Sequence, residues 1–225
     1  GEWFGYIGTR RMNPVFEIKC ISHRKKPIYQ AYISQMPPSE ASKIRQIGTE
    51  VAYYRALRNL NIPGILDVGL HESCAGWIYA VVQLKKMYPA QVWQALHAVV
   101  SYDAIGGKIA IAVDDDIDPR DPDAVNWALT FRMQPDQDIE VVKGRTIRAD
   151  PSYAPPSEKE RLEEAGAIIR SALLIDATRK WDYPPTSLPK KEYMENAHRI
   201  WEEEGLGKLQ PKSPWFGYNL GYWSR

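Results

Sequence analysis

The segment Lys108–Val113 (KIAIAV) decides the fold, because it is apolar at almost every position and so has no polar face. A strand that is apolar on both faces is typical of a sheet that is covered by helices on both sides. The acidic run Asp114–Asp118 follows this segment directly. The segment therefore predicts a buried strand of an α/β domain, with carboxylates at the carboxyl end of that strand.

Strands and helices alternate outward from this strand in both directions. Before it, apolar runs predict strands at Ile65–Leu70 and Trp77–Leu84, and a helix is expected at Pro89–Tyr102. After it, we expect a helix at Asp123–Arg132 and a short strand at Ile139–Val142. This order predicts a mostly parallel sheet that is flanked by helices.

The last part of the chain has a weaker pattern. Residues 144–160 are rich in Pro and charge and predict a loop, whereas residues 165–175 fit either a helix or a strand. A further helix is predicted at residues 191–204. Residues 214–223 form a tail so rich in aromatic rings that we expect it to pack on another subunit or domain.

Two strands and a helix are predicted before the α/β pattern begins. Val15–Ile21 and Ile28–Ile33 alternate between apolar and polar residues. A lone hairpin is marginally stable in water, so we expect these strands to be the last piece of a β domain. Ser39 then begins a helix that runs to about Asn61. Its expected buried face consists of apolar residues at steps of three and four, namely Ile44, Ile47, Val51, Tyr54 and Leu57.

Composition and charge exclude several classes of protein. The chain has 29 Lys and Arg against 28 Asp and Glu, so its net charge of +1 predicts binding to neither nucleic acid nor a membrane surface. No apolar run reaches membrane-spanning length and no signal peptide opens the sequence, which predicts a cytoplasmic protein. Cys20 and Cys74 fit no metal or redox spacing, so we expect free thiols.

The opening segment Gly1–Tyr6 (GEWFGY) is the first candidate for chemistry. It places the carboxylate of Glu2 between two glycines and among three aromatic rings. Apolar surroundings raise the pKa of a carboxyl group, which lets the group hold a proton near neutral pH and act as a general acid. The alternative is an exposed and frayed terminus.

The acidic run Asp114–Asp118 is the second candidate. Ligands bind at the carboxyl ends of strands in open α/β sheets, and carboxylates there could hold Mg²⁺ or Mn²⁺ for a metal-dependent transferase. The alternative is that the run caps the helix that follows near Pro122, which we favour because no Walker-type phosphate loop or dinucleotide fingerprint occurs. The four histidines lack partners at ligand spacing, so we expect no zinc site and a hydrogen-bonded, structural His71.

Four motifs, in order along the chain, resemble the UbiD family of decarboxylases. Ile109–Asp118 resembles the family's strand that ends in an acidic run, and Val125–Arg132 (VNWALTFR) resembles its helix motif V-x-W-A-x-x-x-R. Gly1–Tyr6 resembles its G-[ED]-x-x-G-Y segment, and Asp176–Trp181 (DATRKW) resembles its D-A-T-x-K-W segment. The resemblance covers nearly the whole chain, but only the second half of a typical member.

The resemblance implies an enzyme that removes, or in some members adds, a carboxyl group on an aromatic or α,β-unsaturated acid. Such enzymes use prenylated FMN, whose extra ring forms a covalent adduct with the substrate, and a glutamate in the G-E-x-x-G-Y segment then donates a proton. Glu2 would be that catalytic residue. Trp3 and Leu129 would face the substrate, and Thr178 and Lys180 would close the other side of the pocket.

The resemblance also implies four parts of the fold. These are the last strands of a split β-barrel (1–36), a linker helix (37–62), a C-terminal α/β domain (63–180), and a helix with an aromatic tail for subunit packing (181–225). A catalytic arginine, a second glutamate and the residues that hold the flavin phosphate lie upstream of the glutamate segment in the family. The residues that hold a divalent metal (Mn²⁺ or Mg²⁺, with K⁺ as a further candidate) also lie upstream of that segment in the family.

A complementary N-terminal UbiD-like chain is therefore the expected partner, in a homo- or hetero-oligomer. Asp123 stands where some fungal ferulic acid decarboxylases have a lysine near the cofactor, so that contact is absent or replaced. Two other functions stay open. One is a non-catalytic structural subunit of such a complex, and the other is the metal-dependent transferase that would use Asp114–Asp118.

Overall fold

The computed structural model describes residues 1–8, 12–103, 106–145 and 170–207, together with four two-residue stretches between 151 and 162. Its helices and strands, in chain order, are α1 (Glu40–Asn59), β1 (Ile65–Leu70), β2 (Tyr79–Leu84), α2 (Ala90–Tyr102), β3 (Ile109–Val113), α3 (Pro122–Arg132), β4 (Ile139–Arg145), β5 (Arg170–Ala177) and α4 (Lys191–Glu203). The strands and helices that were predicted from residue 65 to residue 142 are all present, with ends that shift by up to three residues.

The strands form one sheet in the order β1-β2-β3-β5-β4. The three central strands β2, β3 and β5 are parallel, and the two edge strands β1 and β4 run antiparallel to their neighbours. In register, Ile111 of β3 lies between Val81 of β2 and Ile175 of β5. The α/β class and the predicted strand at KIAIAV are thus confirmed, and the structure shows this strand at the centre of the sheet.

Two apolar cores lie on opposite faces of β3. Ala110 and Ala112 belong to the core that α1 and α2 cover, and Ile111 and Val113 belong to the core that α3 covers. All four side chains are at most 1% exposed. Because both faces of the strand are covered, every position must be apolar, which is what the sequence of this strand shows.

Helix α1 is confirmed in its place along the chain, but its orientation differs from the prediction. Ser39 is its N-cap, and the Ser39 hydroxyl accepts a hydrogen bond from the backbone N–H of Ser42. The predicted buried face is wrong at three of its five positions, since Ile44, Ile47 and Val51 are each more than half exposed.

Polar contacts with the edge strand β1 set the orientation of α1. The Gln46 amide donates to the backbone carbonyl of Leu70 at 2.6 Å, and the Glu50 carboxylate accepts from the Leu70 N–H at 2.9 Å. Tyr53 and Leu57 are buried on the same side of the helix. Because backbone groups at a sheet edge need hydrogen-bond partners, Gln46 and Glu50 turn toward β1 and the apolar stripe turns outward.

The two strands that were predicted at Val15–Ile21 and Ile28–Ile33 do not form, since residues 12–34 pair with no other described residue as a strand. Their apolar side chains are open to solvent, with Phe16 84% and Tyr29 91% exposed. An uncovered pair of strands buries too little apolar surface to offset the entropy lost on ordering it. The alternating pattern specifies strands here only if partner strands are also present.

Within the ambiguous stretch 165–175, residues 170–175 belong to strand β5, which begins at Arg170, and residues 165–169 lie outside the described residues. Helix α4 has no buried residue. The aromatic tail 214–223 and most of the predicted loop 144–160 lie outside the described residues. Among the described residues, no helix is long and apolar enough to cross a bilayer.

Candidate functional site

The carboxyl ends of the three parallel strands meet at one edge of the sheet, which we call the carboxyl edge. Lys85 and Lys86 follow β2, the acidic run Asp114–Asp118 follows β3, and Thr178 and Arg179 follow β5. Charged side chains from three distant parts of the sequence therefore converge at the edge where ligands bind in open α/β sheets.

Two arginines hold the acidic run. The buried Arg132 guanidinium donates to Asp114 Oδ2 at 2.7 Å and to both carboxylate oxygens of Asp116 at 2.7 Å. The Arg179 backbone N–H donates to Asp114 Oδ2 at 2.8 Å. Burial raises the pKa of Asp114 above its ordinary value, although these donors favour the ionised form. The oxygens that a transferase would need for a metal ion are thus engaged by the protein itself.

Neither alternative role of the acidic run is supported by the geometry. Among the described residues, no three His, Cys, Asp or Glu side chains form a group that could hold a metal ion. The predicted capping role is wrong as well, because Asp121, three residues beyond the run, caps α3. Its carboxylate accepts from the backbone N–H groups of Asp123 and Ala124 at 2.9 and 3.2 Å. The run instead anchors α3 to the sheet through Arg132.

His71 has the structural role that was predicted for it. Its side chain is buried, and Nε2 lies 3.1 Å from the carbonyl oxygen of Pro119. The imidazole packs on the ring of Tyr79, with 4.8 Å between ring centroids. Burial lowers the pKa of His71 below its ordinary value of 6.5, so the folded protein favours the neutral ring.

Thr178 and Lys180 belong to a polar network beside the end of β5. Thr178 is fully buried, and its hydroxyl donates to Asp176 Oδ1 at 2.6 Å. Lys180 Nζ lies 2.9 Å from Asp176 Oδ1 and 3.2 Å from Asp138 Oδ1. Lys86 donates to the Thr178 hydroxyl at 3.2 Å. The network fixes the loop after β5, and Lys180 lines a cleft at the carboxyl edge.

Glu2 and Trp3 lie in a cluster of aromatic rings. The Glu2 side chain is half-buried, and the Gly5 N–H donates to the Glu2 carbonyl at 2.9 Å in a tight turn. Gly5 adopts a φ of +93°, a conformation that side chains rarely allow. The Trp3 ring packs on Phe4 and on Trp77, with centroid distances of 5.3 Å to each.

The predicted site residues are divided between two edges of the sheet. Trp77 lies just before β2, so Trp3 packs at the amino edge, whereas Thr178 and Lys180 lie at the carboxyl edge. Strands of five or six residues at about 3.3 Å each separate the two edges by roughly 17–20 Å. Leu129 lies on α3, where it packs against the core. The structure therefore brings Thr178 and Lys180 together, but not with Glu2.

Three basic residues of the carboxyl edge were missed in the choice of site residues, namely Lys85, Lys86 and Arg179. All three follow directly, or within two residues, the carboxyl end of a parallel strand. That position is a usable signal, because the strand ends could be predicted from the apolar runs.

Comparisons with known proteins agree with the fold. A family model described as the 3-octaprenyl-4-hydroxybenzoate carboxy-lyase C-terminal domain matches residues 43–177, and a model of the Rift-related domain of the same carboxy-lyase matches residues 1–37. An uncharacterised protein of Archaeoglobus fulgidus is 30% identical over 213 residues, which are 90% of this chain and 41% of the relative. The chain thus spans less than half the length of that relative.

Solved structures share the fold over a similar part of their length. The closed form of vanillic acid decarboxylase from Sedimentibacter hydroxybenzoicus has a TM-score of 0.63 at 24% identity, with 81% of this chain and 37% of that chain covered. The UbiD-class enzyme HmfF from Pelotomaculum thermopropionicum in complex with FMN has a TM-score of 0.61 at 24% identity, with 78% and 37% covered. The 3,4-dihydroxybenzoic acid decarboxylase of Klebsiella pneumoniae has a TM-score of 0.56 at 23% identity, with 71% and 34% covered.

Proposed function

The chain belongs to the UbiD family of carboxy-lyases, and we propose that it forms part of an enzyme that reversibly decarboxylates an aromatic or α,β-unsaturated carboxylic acid with prenylated FMN. The observation that carries the proposal is that both family models match, in order, over residues 1–37 and 43–177. The names of the solved relatives support the cofactor and the substrate class, since they include FMN and prenylated FMN complexes of HmfF and decarboxylases of vanillic and 3,4-dihydroxybenzoic acid.

Glu2 is our candidate for the proton donor. Its side chain is half-buried, and it stands in a tight turn whose next two residues, Trp3 and Phe4, pack ring against ring. When bound, prenylated FMN would supply an electron sink for the charge that loss of carbon dioxide leaves on the substrate. The Glu2 carboxyl group would hold a proton and deliver it to the carbon that carried the lost group.

Among the described residues, the rings of Trp3 and Phe4 beside Glu2 in the sequence suit the flat rings of a flavin and its substrate. The Arg45 guanidinium lies over the rings of Trp3 and Trp77, at 5.7 and 5.4 Å from their centroids. A complementary N-terminal UbiD-like chain would supply the residues that hold the phosphate and the divalent metal, with K⁺ as a further ion. This chain spans 34–41% of the length of the relatives named above, which agrees with a contribution from elsewhere.

The extended segment 12–34 is our candidate for the contact with that chain. Val15 and Ile28 are 97% and 96% exposed, and the backbone of the segment is not paired in a sheet. Added strands would pair with this backbone and bury its apolar side chains. A non-catalytic structural subunit could use the same contact, so the contact alone does not distinguish the two functions.

The experiment compares Glu2→Gln with Glu140→Gln in the complex purified with the complementary chain. Glu140 is an exposed carboxylate on the edge strand β4, outside segment 12–34, and serves as a control. We expect Glu2→Gln to lower turnover by about 10²–10⁴-fold, as is typical of a lost general acid, with unchanged flavin content. If turnover survives Glu2→Gln, Glu2 is not the proton donor and the chain is a non-catalytic structural subunit of the complex. A protein that stays colourless and monomeric with every complementary chain would refute the split arrangement.

A further inference from the structure

A cleft at the carboxyl edge lies away from Glu2, the proton donor proposed for the decarboxylation. Its volume is about 830 Å³, which lies within the range of sites for small molecules. It is lined by residues that follow all three parallel strands, among them Lys85 and Lys86 after β2, Asp115 after β3, and Arg179, Trp181 and Asp182 after β5. Glu2 lies near the opposite edge of the sheet, so the cleft needs an explanation of its own.

The connections of the sheet open a crevice at this position. From β2 the chain passes to α2, which covers one face of the sheet, and from β3 it passes to α3, which covers the other face. Neighbouring parallel strands whose connections leave toward opposite faces form a topological switch point, and ligands bind outside the carboxyl ends of such strands. The pair β2 and β3 meets this condition.

Two lysines of the cleft form no ion pair with any described residue. The half-buried Lys86 ammonium donates to neutral oxygens only, the Thr178 hydroxyl at 3.2 Å and the Arg179 carbonyl at 2.9 Å. Lys85 is exposed beside it. Lys180, in contrast, is neutralised by carboxylates at its own side of the cleft. A half-buried ammonium without a carboxylate partner favours an anion from outside the chain.

Arg179, on the opposite loop, already faces carboxylates, as Lys180 does. Its guanidinium stands 3.5–3.9 Å from the carboxylates of Asp114, Asp115 and Asp116. Lys85 and Lys86 are therefore the cations of the cleft that suit a phosphate, whose oxygens accept hydrogen bonds from two ammonium groups.

The other side chains of the cleft suit the remaining parts of a nucleotide. Trp181 is 69% exposed and stands 5.6 Å from the ring of Tyr183, so it offers a face on which a planar base can stack. Asp115 and Asp182 are exposed carboxylates beside it, and carboxylates accept hydrogen bonds from the hydroxyl groups of ribose in nucleotide sites of this type of sheet.

We propose that this cleft binds an adenine mononucleotide, with its phosphate on Lys85 and Lys86, its sugar hydroxyls on the two carboxylates and its ring on Trp181. The decarboxylation proposed above needs no such site, so either proposal can fail without the other.

The test is calorimetric titration of the purified protein with AMP, adenosine and inorganic phosphate. We expect AMP to bind at one site, and each half-ligand to bind at least about tenfold more weakly, because each lacks one set of contacts. Lys85→Ala and Trp181→Ala should each weaken AMP binding by about tenfold, which corresponds to one charge-assisted or stacking contact. Both side chains are exposed, so we expect the variants to fold, which unchanged thermal melting would show.

Two variants serve as matched controls, Lys143→Ala on β4 and Phe131→Ala on α3, both exposed and absent from the lining of the cleft. They should leave AMP binding unchanged. FMN that binds at least as tightly as AMP and displaces it would assign the cleft to the flavin of the decarboxylation and overturn the proposal. Absence of AMP binding, or AMP binding that neither Lys85→Ala nor Trp181→Ala weakens, would overturn it as well.

Discussion

Removal of the Arg132 guanidinium tests whether the acidic run is a structural anchor. In Arg132→Met the bidentate bond to Asp116 and the bond to Asp114, all at 2.7 Å, are lost. The Asp114 carboxylate is 8% exposed and would remain in place with only the Arg179 contacts. Removing one partner of a buried ion pair costs about 3–5 kcal/mol, because the other charge stays buried and unpaired. We therefore expect the free energy of unfolding to fall by about that amount in urea titrations at pH 7.

The same variant has an expected pH dependence and a matched control. Burial already raises the pKa of Asp114, and loss of the cation raises it further, so the folded variant binds protons more readily than the unfolded chain. Its stability deficit should then shrink as the pH falls and the carboxylates are protonated. The exposed pair Arg199–Glu203 on α4 is the control, and Arg199→Met should cost less than about 1 kcal/mol. A deficit for Arg132→Met no larger than that of the control would refute the anchor.

Three further variants test the fold. His71→Asn should flatten the dependence of stability on pH, because burial lowers the pKa of His71 in the folded protein. The stability that the neutral His71 ring contributes is present above pH 6.5, the ordinary pKa of an unfolded histidine, and is lost as the pH falls below that value. Equal slopes of unfolding free energy between pH 7.5 and 5.5 in wild type and variant would contradict this. Ile111→Ala, which empties a site that is 1% exposed, should cost about 2–5 kcal/mol in urea unfolding, whereas Ile47→Ala on the exposed stripe should cost under about 0.5 kcal/mol. Ser39→Ala should lower the unfolding free energy by about 1 kcal/mol through loss of the N-cap of α1, and an unchanged value would mean that the cap is replaced.

The sequence predicts those parts of the fold in which local pattern and burial agree. The strand Ile109–Val113 is apolar on both faces and is covered on both faces, so its type and burial could be predicted. Helix α1 shows a feature that the local sequence pattern does not determine. Its length follows from Ser39 and the helical spacing, but its orientation depends on Gln46 and Glu50 meeting the backbone of β1, a contact between residues 20 or more positions apart.

The candidate site was predicted less well than the fold, for reasons that are also physical. The D-A-T-x-K-W resemblance singled out Thr178 and Lys180, yet their side chains are engaged by Asp176, and the hydroxyl of Thr178 is buried. Which polar side chains in a loop are satisfied internally and which stay available depends on distances between loops. No pattern within one loop contains that information, so Lys86 and Arg179 could be found only from the strand ends that precede them.

The N-terminal segment at the amino edge and the cleft at the carboxyl edge are held in place by different kinds of contact. The contacts of Trp3 with Trp77 and Arg45 are one aromatic pair and one cation–π contact, each worth about 0.5–1.5 kcal/mol. A complementary chain that covered Val15, Phe16 and their neighbours would gain about 1.5–3 kcal/mol for each large side chain buried, which outweighs those contacts. Contact with a partner can therefore dominate the placement of the N-terminal segment. The cleft, in contrast, is lined by residues of the α/β domain and of the segment 181–185 that directly follows it, so nucleotide binding should persist without the partner while decarboxylation should require it.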